Sequence, residues 1–221
     1  MPIIDRKYGL YLLSCVCGWV DATCFVGLHR VFAAMMSGNL LMFAIALANG
    51  EPIAQGFKYI RALGGFTVGI ILASRLMRVF GEGKKSLKAF WLVWFLLALA
   101  VALSLWREPE SHALLKDMLV NLLSMAMGAM ASIVRIHEVP DLATNVFTGT
   151  YTSLIAESSL AGAKSDRWLS RIMSIFLFIV TGAIGGYLAN IHSVWSLGLA
   201  LLMMSIAMLV FYSSAQERMP A

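Results

Sequence analysis

Hydrophobic and polar positions alternate in this chain over whole segments rather than residue by residue. Tyr8 to Leu28 is apolar and, at about 20 residues, long enough to cross a bilayer. His29 to Met36 has no clear period, and Val31 and Phe32 suit extended backbone. Ser37 to Asn49 reads as a half-length helix stopped by Asn49, Gly50 and Pro52. It is shorter than the ~17 residues that spanning needs. Phe57 to Phe80 is long, with Lys58 and Arg61 at one end and Arg75 and Arg78 at the other, placed to snorkel. A basic loop from Gly81 to Lys88 follows. Ala89 to Trp106 is then a clean apolar helix with Trp91, Trp94 and Trp106 suited to the interfaces.

Beyond the mixed-charge loop Arg107 to Lys116 the pattern restarts. Leu119 to Ile136 is apolar, and Val139 to Val146 is interrupted by Pro140 and Asp141. Thr148 to Ser158 is another short helix, and Ala161 to Arg171 is hydrophilic. Ile172 to Asn190 and Val194 to Tyr212 are two further spans around a tight turn at Ile191, His192 and Ser193. Particular residues repeat along with the rhythm. Ser14, Gly18 and Ala22 are answered by Ser124, Gly128 and Ser132, and Ser37-Gly38-Asn39 by Thr148-Gly149-Thr150. Gly65 and Gly69 are answered by Gly182 and Gly186. Small residues at this spacing let helix backbones approach closely in lipid. The expectation is one membrane domain made of two repeats, residues 1–110 and 111–221.

Charge then decides how the segments cross. If all eight crossed from an inside N-terminus, Lys84, Lys85 and Lys88 would lie outside, against the positive-inside rule. If each half makes three crossings plus one broken element, Arg6-Lys7, the Lys84–Lys88 loop, the Lys164–Arg171 loop and Arg218 all lie inside. An odd number of crossings per half inverts the repeats. The expected fold is therefore an all-α polytopic membrane protein of two inverted repeats. Each has three spanning helices plus one broken or half-length helix, and the half-helices approach near the midplane. Arg6 and Lys7 before an apolar run look like a signal peptide, but no convincing cleavage site follows, and the run reads as a retained first helix.

Composition agrees. The 221 residues are 60% hydrophobic and 13% charged, against about 25% charged in soluble domains. The net charge of +5 is explained by basic residues between hydrophobic runs, which argues against a nucleic-acid partner. Cys15, Cys17 and Cys24 share the first span, and Cys15 and Cys17 face different sides of a helix, so they read as small buried residues. His29, His112, His137 and His192 are scattered, which supports no metal site. No phosphate loop or nucleophile elbow occurs, and neither an enzyme nor a cofactor is expected.

Asp21 stands out as an acid inside a span, where insertion at the helix centre costs about 2.5–3.5 kcal/mol. Its spacing from Ser14 and Gly18 puts it on the small-residue face, towards protein. It reads as a proton or cation site, as an anchor for the broken element through backbone N–H groups, or as a tie between loop and helix. Ser37, Gly38, Asn39, Thr148, Gly149 and Thr150 read as two helix starts capped by Ser37 and Thr148. Helix N-termini within a bilayer can bind a polar or anionic group, and Thr144 and Asn145 would add polar lining. Ordinary capping beside interfacial loops explains the same residues.

Gly18-Trp19-Val20-Asp21-Ala22, Met36-Ser37-Gly38-Asn39 and Thr144 to Thr150 together resemble the YoaK family of bacterial membrane proteins, a domain of unknown function of about this length. The family's first signature resembles Gly-x-x-Asp-Ala followed by Thr-Gly-Asn, and here Ser37 replaces the Thr. Its second half often resembles Gly-x-x-Asn-Ala, and here Ala131 stands in place of the Asn. The resemblance implies a multi-pass protein of the bacterial inner membrane and brings no substrate. The residues themselves point to a small-solute permease binding a polar or anionic solute, with cytoplasmic termini and a homodimer expected. A non-transporting sensor or scaffold is the alternative.

Overall fold

The computed structural model describes residues 6–80, 88–106, 112–136, 147–162 and 168–216. Among them the helices are α1 (Arg6–Val26), α2 (Met36–Ala48), α3 (Ile53–Phe80), α4 (Phe90–Trp106), α5 (Ala113–Ile136), α6 (Phe147–Ala156), α7 (Trp168–Ile191) and α8 (Ser193–Gln216). Five of these, α1, α3, α5, α7 and α8, are long and apolar enough to cross a membrane. The protein is all-α and polytopic. α4, with 17 residues, is about 25 Å long and at the lower limit for spanning. α2 and α6, with 13 and 10 residues, are shorter still.

Helix ends differ from the sequence expectation where charges sit on a helical turn. α5 begins six residues before Leu119, because Lys116 and Asp117 belong to its first turns. α3 begins at Ile53, directly after Pro52, whose carbonyl accepts the Gln55 N–H. The stop after α2 is as expected. Gly50 takes the left-handed φ of 69°, its N–H bonds Leu47 O, and the Glu51 N–H bonds Ala46 O. This is the pairing of a Schellman end, where a glycine avoids the Cβ penalty. A 3-10 turn, Ser159–Ala161, also ends at a left-handed glycine, Gly162, with φ 79°.

Packing exchanges partners between the two ends of the sequence. α1 packs on α7 and α8, α5 packs on α3 and α4, and α4 meets α8. α2 lies on α3 and α6 on α7. α3 and α5 run parallel: Arg61 meets Asp117, Gly65 lies against Asn121, and Ser74 bonds Ser132 at 2.7 Å. α1 and α7 also run parallel, with Ser14 bonded to Ser174 at 2.7 Å and Gly27 near Ala189. α8 runs antiparallel to both α1 and α4. Thr23 donates to Ser196 at 2.6 Å, Phe90 stacks on Phe211, and Trp94 Nε1 donates to Ser205 at 2.9 Å.

Close approach explains the small residues. A methyl at Gly128 would overlap the Phe66 carbonyl, one at Gly69 the Met125 carbonyl, and one at Gly18 the Thr181 hydroxyl. The glycine contacts thus lie inside the parallel pairs α3–α5 and α1–α7. In α1 and α5, 72% and 67% of the membrane-length stretch is buried, against 17% in α3 and 22% in α7. The first pair forms the protein interior, and the second faces outward. Cys15, Cys17 and Cys24 are buried, unoxidised parts of that interior.

Candidate functional site

After α1 the chain turns back on itself. Arg30 takes a left-handed φ of 55°, which reverses the backbone. Residues 31–35 then return to the level of Asp21, five residues inside the end of α1. There Asp21 Oδ1 accepts the N–H groups of Ala33 at 2.7 Å and Ala34 at 2.8 Å. From this depth α2 runs out again, with Phe43 against Gly56 of α3. Asp21 is 3% exposed, as its face predicts, and Oδ2 has no hydrogen-bond partner. The carboxylate thus anchors the loop through its backbone.

The tripeptide after the loop has a different layout from the expected cap. α2 starts at Met36, one residue before Ser37, and its N-cap position, Met35, makes no side-chain bond. Ser37 is exposed inside the first turn. Asn39 and Asp21 instead bond the backbone of the entering loop from the side. Asn39, fully buried, accepts the Phe32 N–H at 2.9 Å and donates to the Phe32 carbonyl at 2.7 Å. Gly38 lies beneath the Phe32 ring, where a Cβ would come within 3.1 Å, and Phe25 stacks on the same ring at 4.9 Å. Gly38 is therefore a packing glycine.

In the second half α6 starts at Phe147, so Thr148 is likewise inside the first turn and not the residue before it. Thr148 and Gly149 are exposed and Thr150 is buried. Thr144 and Asn145 lie outside the described residues. The structure brings Asp21, Gly38 and Asn39 together around one loop, whereas Thr148, Gly149 and Thr150 belong to a helix on another partner, α7.

Two groups of residues escaped the sequence reading. Arg171, assigned to a hydrophilic loop, lies in the first turns of α7 and is 1% exposed. It donates to the Ser153 carbonyl at 2.8 Å and to Glu157 Oε2 at 2.6 Å, gripping the end of α6. A lone Arg beside a basic loop carried no signal of this. The second group is His29, Arg61 and Asp117. Arg61 reaches both carboxylate oxygens of Asp117, at 2.7 and 2.8 Å, and His29 Nε2 lies 3.2 Å from Oδ1. The loop is thus laced both ways: His29 is tied to α5, while Ala33 and Ala34 are tied back to α1. Among the described residues, no three His, Cys, Asp or Glu side chains converge as a metal site would require.

These features define a multi-pass membrane protein with a short helix that enters from a buried, acid-anchored loop. The chain belongs to the family described as "Protein of unknown function (DUF1275)", which matches residues 9–210. It is similar to the UPF0700 transmembrane protein YoaK of Bacillus subtilis (strain 168), with 29% identity over 161 residues, covering 70% of this chain and 68% of that one. No solved structure matches it. The family resemblance read from Asp21, Ser37 and Thr148 is therefore correct, and the protein is a bacterial multi-pass membrane protein. Neither matched description names an enzyme.

Proposed function

We propose that the chain is a small-solute permease. The observation that carries this reading is the return of residues 27–35 to the depth of Asp21, with Oδ2 unpartnered in the buried interior. Helices broken at depth beside an unpaired acid are how secondary transporters hold a solute or coupling ion. The bound group would be small and polar or anionic, taken at the entries of α2 and α6. Asp21, Ser37, Gly38 and Asn39 serve the first entry, and Thr144, Asn145, Thr148, Gly149 and Thr150 the second. Asp21 either carries the coupling proton or holds the first entry in shape.

The architecture that goes with this reading is six crossings in two inverted repeats, with α4 as the sixth crossing. Its support is the exchange of partners: α1 with α7 and α8, α5 with α3 and α4. Gly18 abuts the Phe178 carbonyl as Gly128 abuts the Phe66 carbonyl. Alternating access would move the α1–α7–α8 group against the α3–α4–α5 group, which touch through α4 and α8. The glycine seams would stay closed within each group. Cytoplasmic termini follow from the basic loops, and a homodimer is the expected working form.

A second reading, a non-transporting sensor or scaffold, is favoured by one observation. Asn39 uses its carbonyl and its amide on Phe32, so part of the polar tripeptide is structural.

Single cysteines at Ser37 and Thr148, in a chain lacking Cys15, Cys17 and Cys24, distinguish the two. A water-soluble thiol reagent is applied from each side of the membrane, with candidate solutes present or absent. The permease reading expects labelling that depends on side, falls with a solute and changes with Asp21→Asn. Labelling that ignores side, solute and Asp21 would leave the scaffold reading in its place.

A further inference from the structure

At the end of the molecule where α3 and α5 finish, three arginines share one seam. α3 has 28 residues, about 42 Å, and exceeds a hydrocarbon core of about 30 Å, so its ends reach headgroup depth. The Ser74–Ser132 hydrogen bond sets the register of the parallel pair. Arg78 is one turn beyond Ser74 on the same face, and Arg135 is just under one turn beyond Ser132. Arg75 is three residues before Arg78 and flanks it. Gly69 and Gly128 let the two backbones approach, which draws the arginines together.

All three are exposed. Among the described residues no carboxylate pairs with any of them, and the acid on α5, Asp117, is engaged with Arg61 at the opposite end. Two arginines elsewhere in the fold give the contrast. Arg61 on α3 and Arg171 on α7 each have an acid partner, Asp117 and Glu157. Among the described residues this seam supplies guanidinium groups and no anion.

We propose that the seam binds the phosphate of an anionic phospholipid headgroup, held by Arg78 and Arg135 with Arg75 at its edge. Guanidinium forks match phosphate oxygens in bidentate geometry, and headgroup depth is where a lipid phosphate lies. The site does not depend on solute movement.

The test uses the full chain in phosphatidylcholine nanodiscs into which phosphatidylglycerol is titrated, read by the thermal unfolding midpoint and by native mass spectrometry of retained lipid. Each basic side chain near an anionic surface contributes roughly fivefold in affinity, so the Arg78→Gln/Arg135→Gln variant should bind about thirtyfold more weakly. Arg30→Gln/Lys58→Gln removes the same charge elsewhere and should leave retention unchanged. Equal losses in both variants would reduce the effect to bulk surface charge and overturn the site. Stabilisation by inorganic phosphate matching that by lipid would overturn the lipid assignment in favour of a soluble anion. If the double variant does not fold, Arg75→Gln is read in the same titration. A roughly fivefold loss supports the site, and no loss overturns it.

Discussion

The two short helices are fastened at opposite ends, by opposite charges. α2 is held where it begins: Asp21 takes the amides of Ala33 and Ala34, and Asn39 clasps Phe32. α6 is held where it finishes: Arg171 takes the Ser153 carbonyl and Glu157. Each charge suits the potential at its end, positive where a helix starts and negative where it finishes, with the Ala33 and Ala34 amides lying just before α2. Ala131, three residues after Gly128 as Asp21 is three after Gly18, leaves α5 without a counterpart of that acid. The grip on α6 comes instead from α7.

Breaking the α6 grip should have the larger effect. Glu157→Ala takes the carboxylate away from the buried Arg171, and a loss of about 3 kcal/mol is expected. Thermal unfolding in detergent measures it. A double variant, Glu157→Ala with Arg171→Met, should recover part of that loss, since no unpaired charge remains. If it recovers nothing, the pair is not what holds α6.

The α2 grip is next. Asp21→Ala strands two amides, at about 1–3 kcal/mol, and hydrogen exchange at Ala33 and Ala34 should accelerate while α6 stays protected. Asp21→Asn, which keeps an acceptor oxygen, should preserve more of that protection. Equal acceleration in α6 would mean that the grips are not independent. Asn39→Ala removes both bonds to Phe32, for roughly 1–2 kcal/mol, and should raise thiol labelling of Ser37→Cys without touching Thr148→Cys. The smallest effect belongs to His29→Ala. Its partner Asp117 stays paired with Arg61, so less than about 1 kcal/mol is expected, shrinking further in salt. A loss above that would place His29 among the main fastenings of the loop.

The five long spans were legible because each is a long apolar run. Asp21 was legible because an acid in such a run is costly, and its helical spacing correctly placed it facing protein. Ser37 and Thr148 were misread as caps because each helix begins one residue before its motif, at Met36 and at Phe147. Before α2, side chains arriving from α1 and from within the helix hold the loop backbone. Arg171 was unreadable for another reason: its value lies in Ser153 and Glu157, and only the folding of α6 onto α7 brings them near. The glycine stripes announced close approach without naming the partner, since spacing along one helix says nothing about which other helix comes up against it.

The exchange of helix partners also has a consequence in time. α1 ends at Val26, and its parallel partner α7 starts at Trp168. At ribosomal rates of about 5–20 residues per second, that interval is roughly 7–30 s. For that period α1 carries Ser14, Gly18 and Asp21 through the membrane without the surface that finally covers Ser14 and Gly18. The early return of Ala33 and Ala34 gives the acid a partner 12 and 13 residues after its own synthesis, so the nascent helix can wait with its carboxylate already engaged.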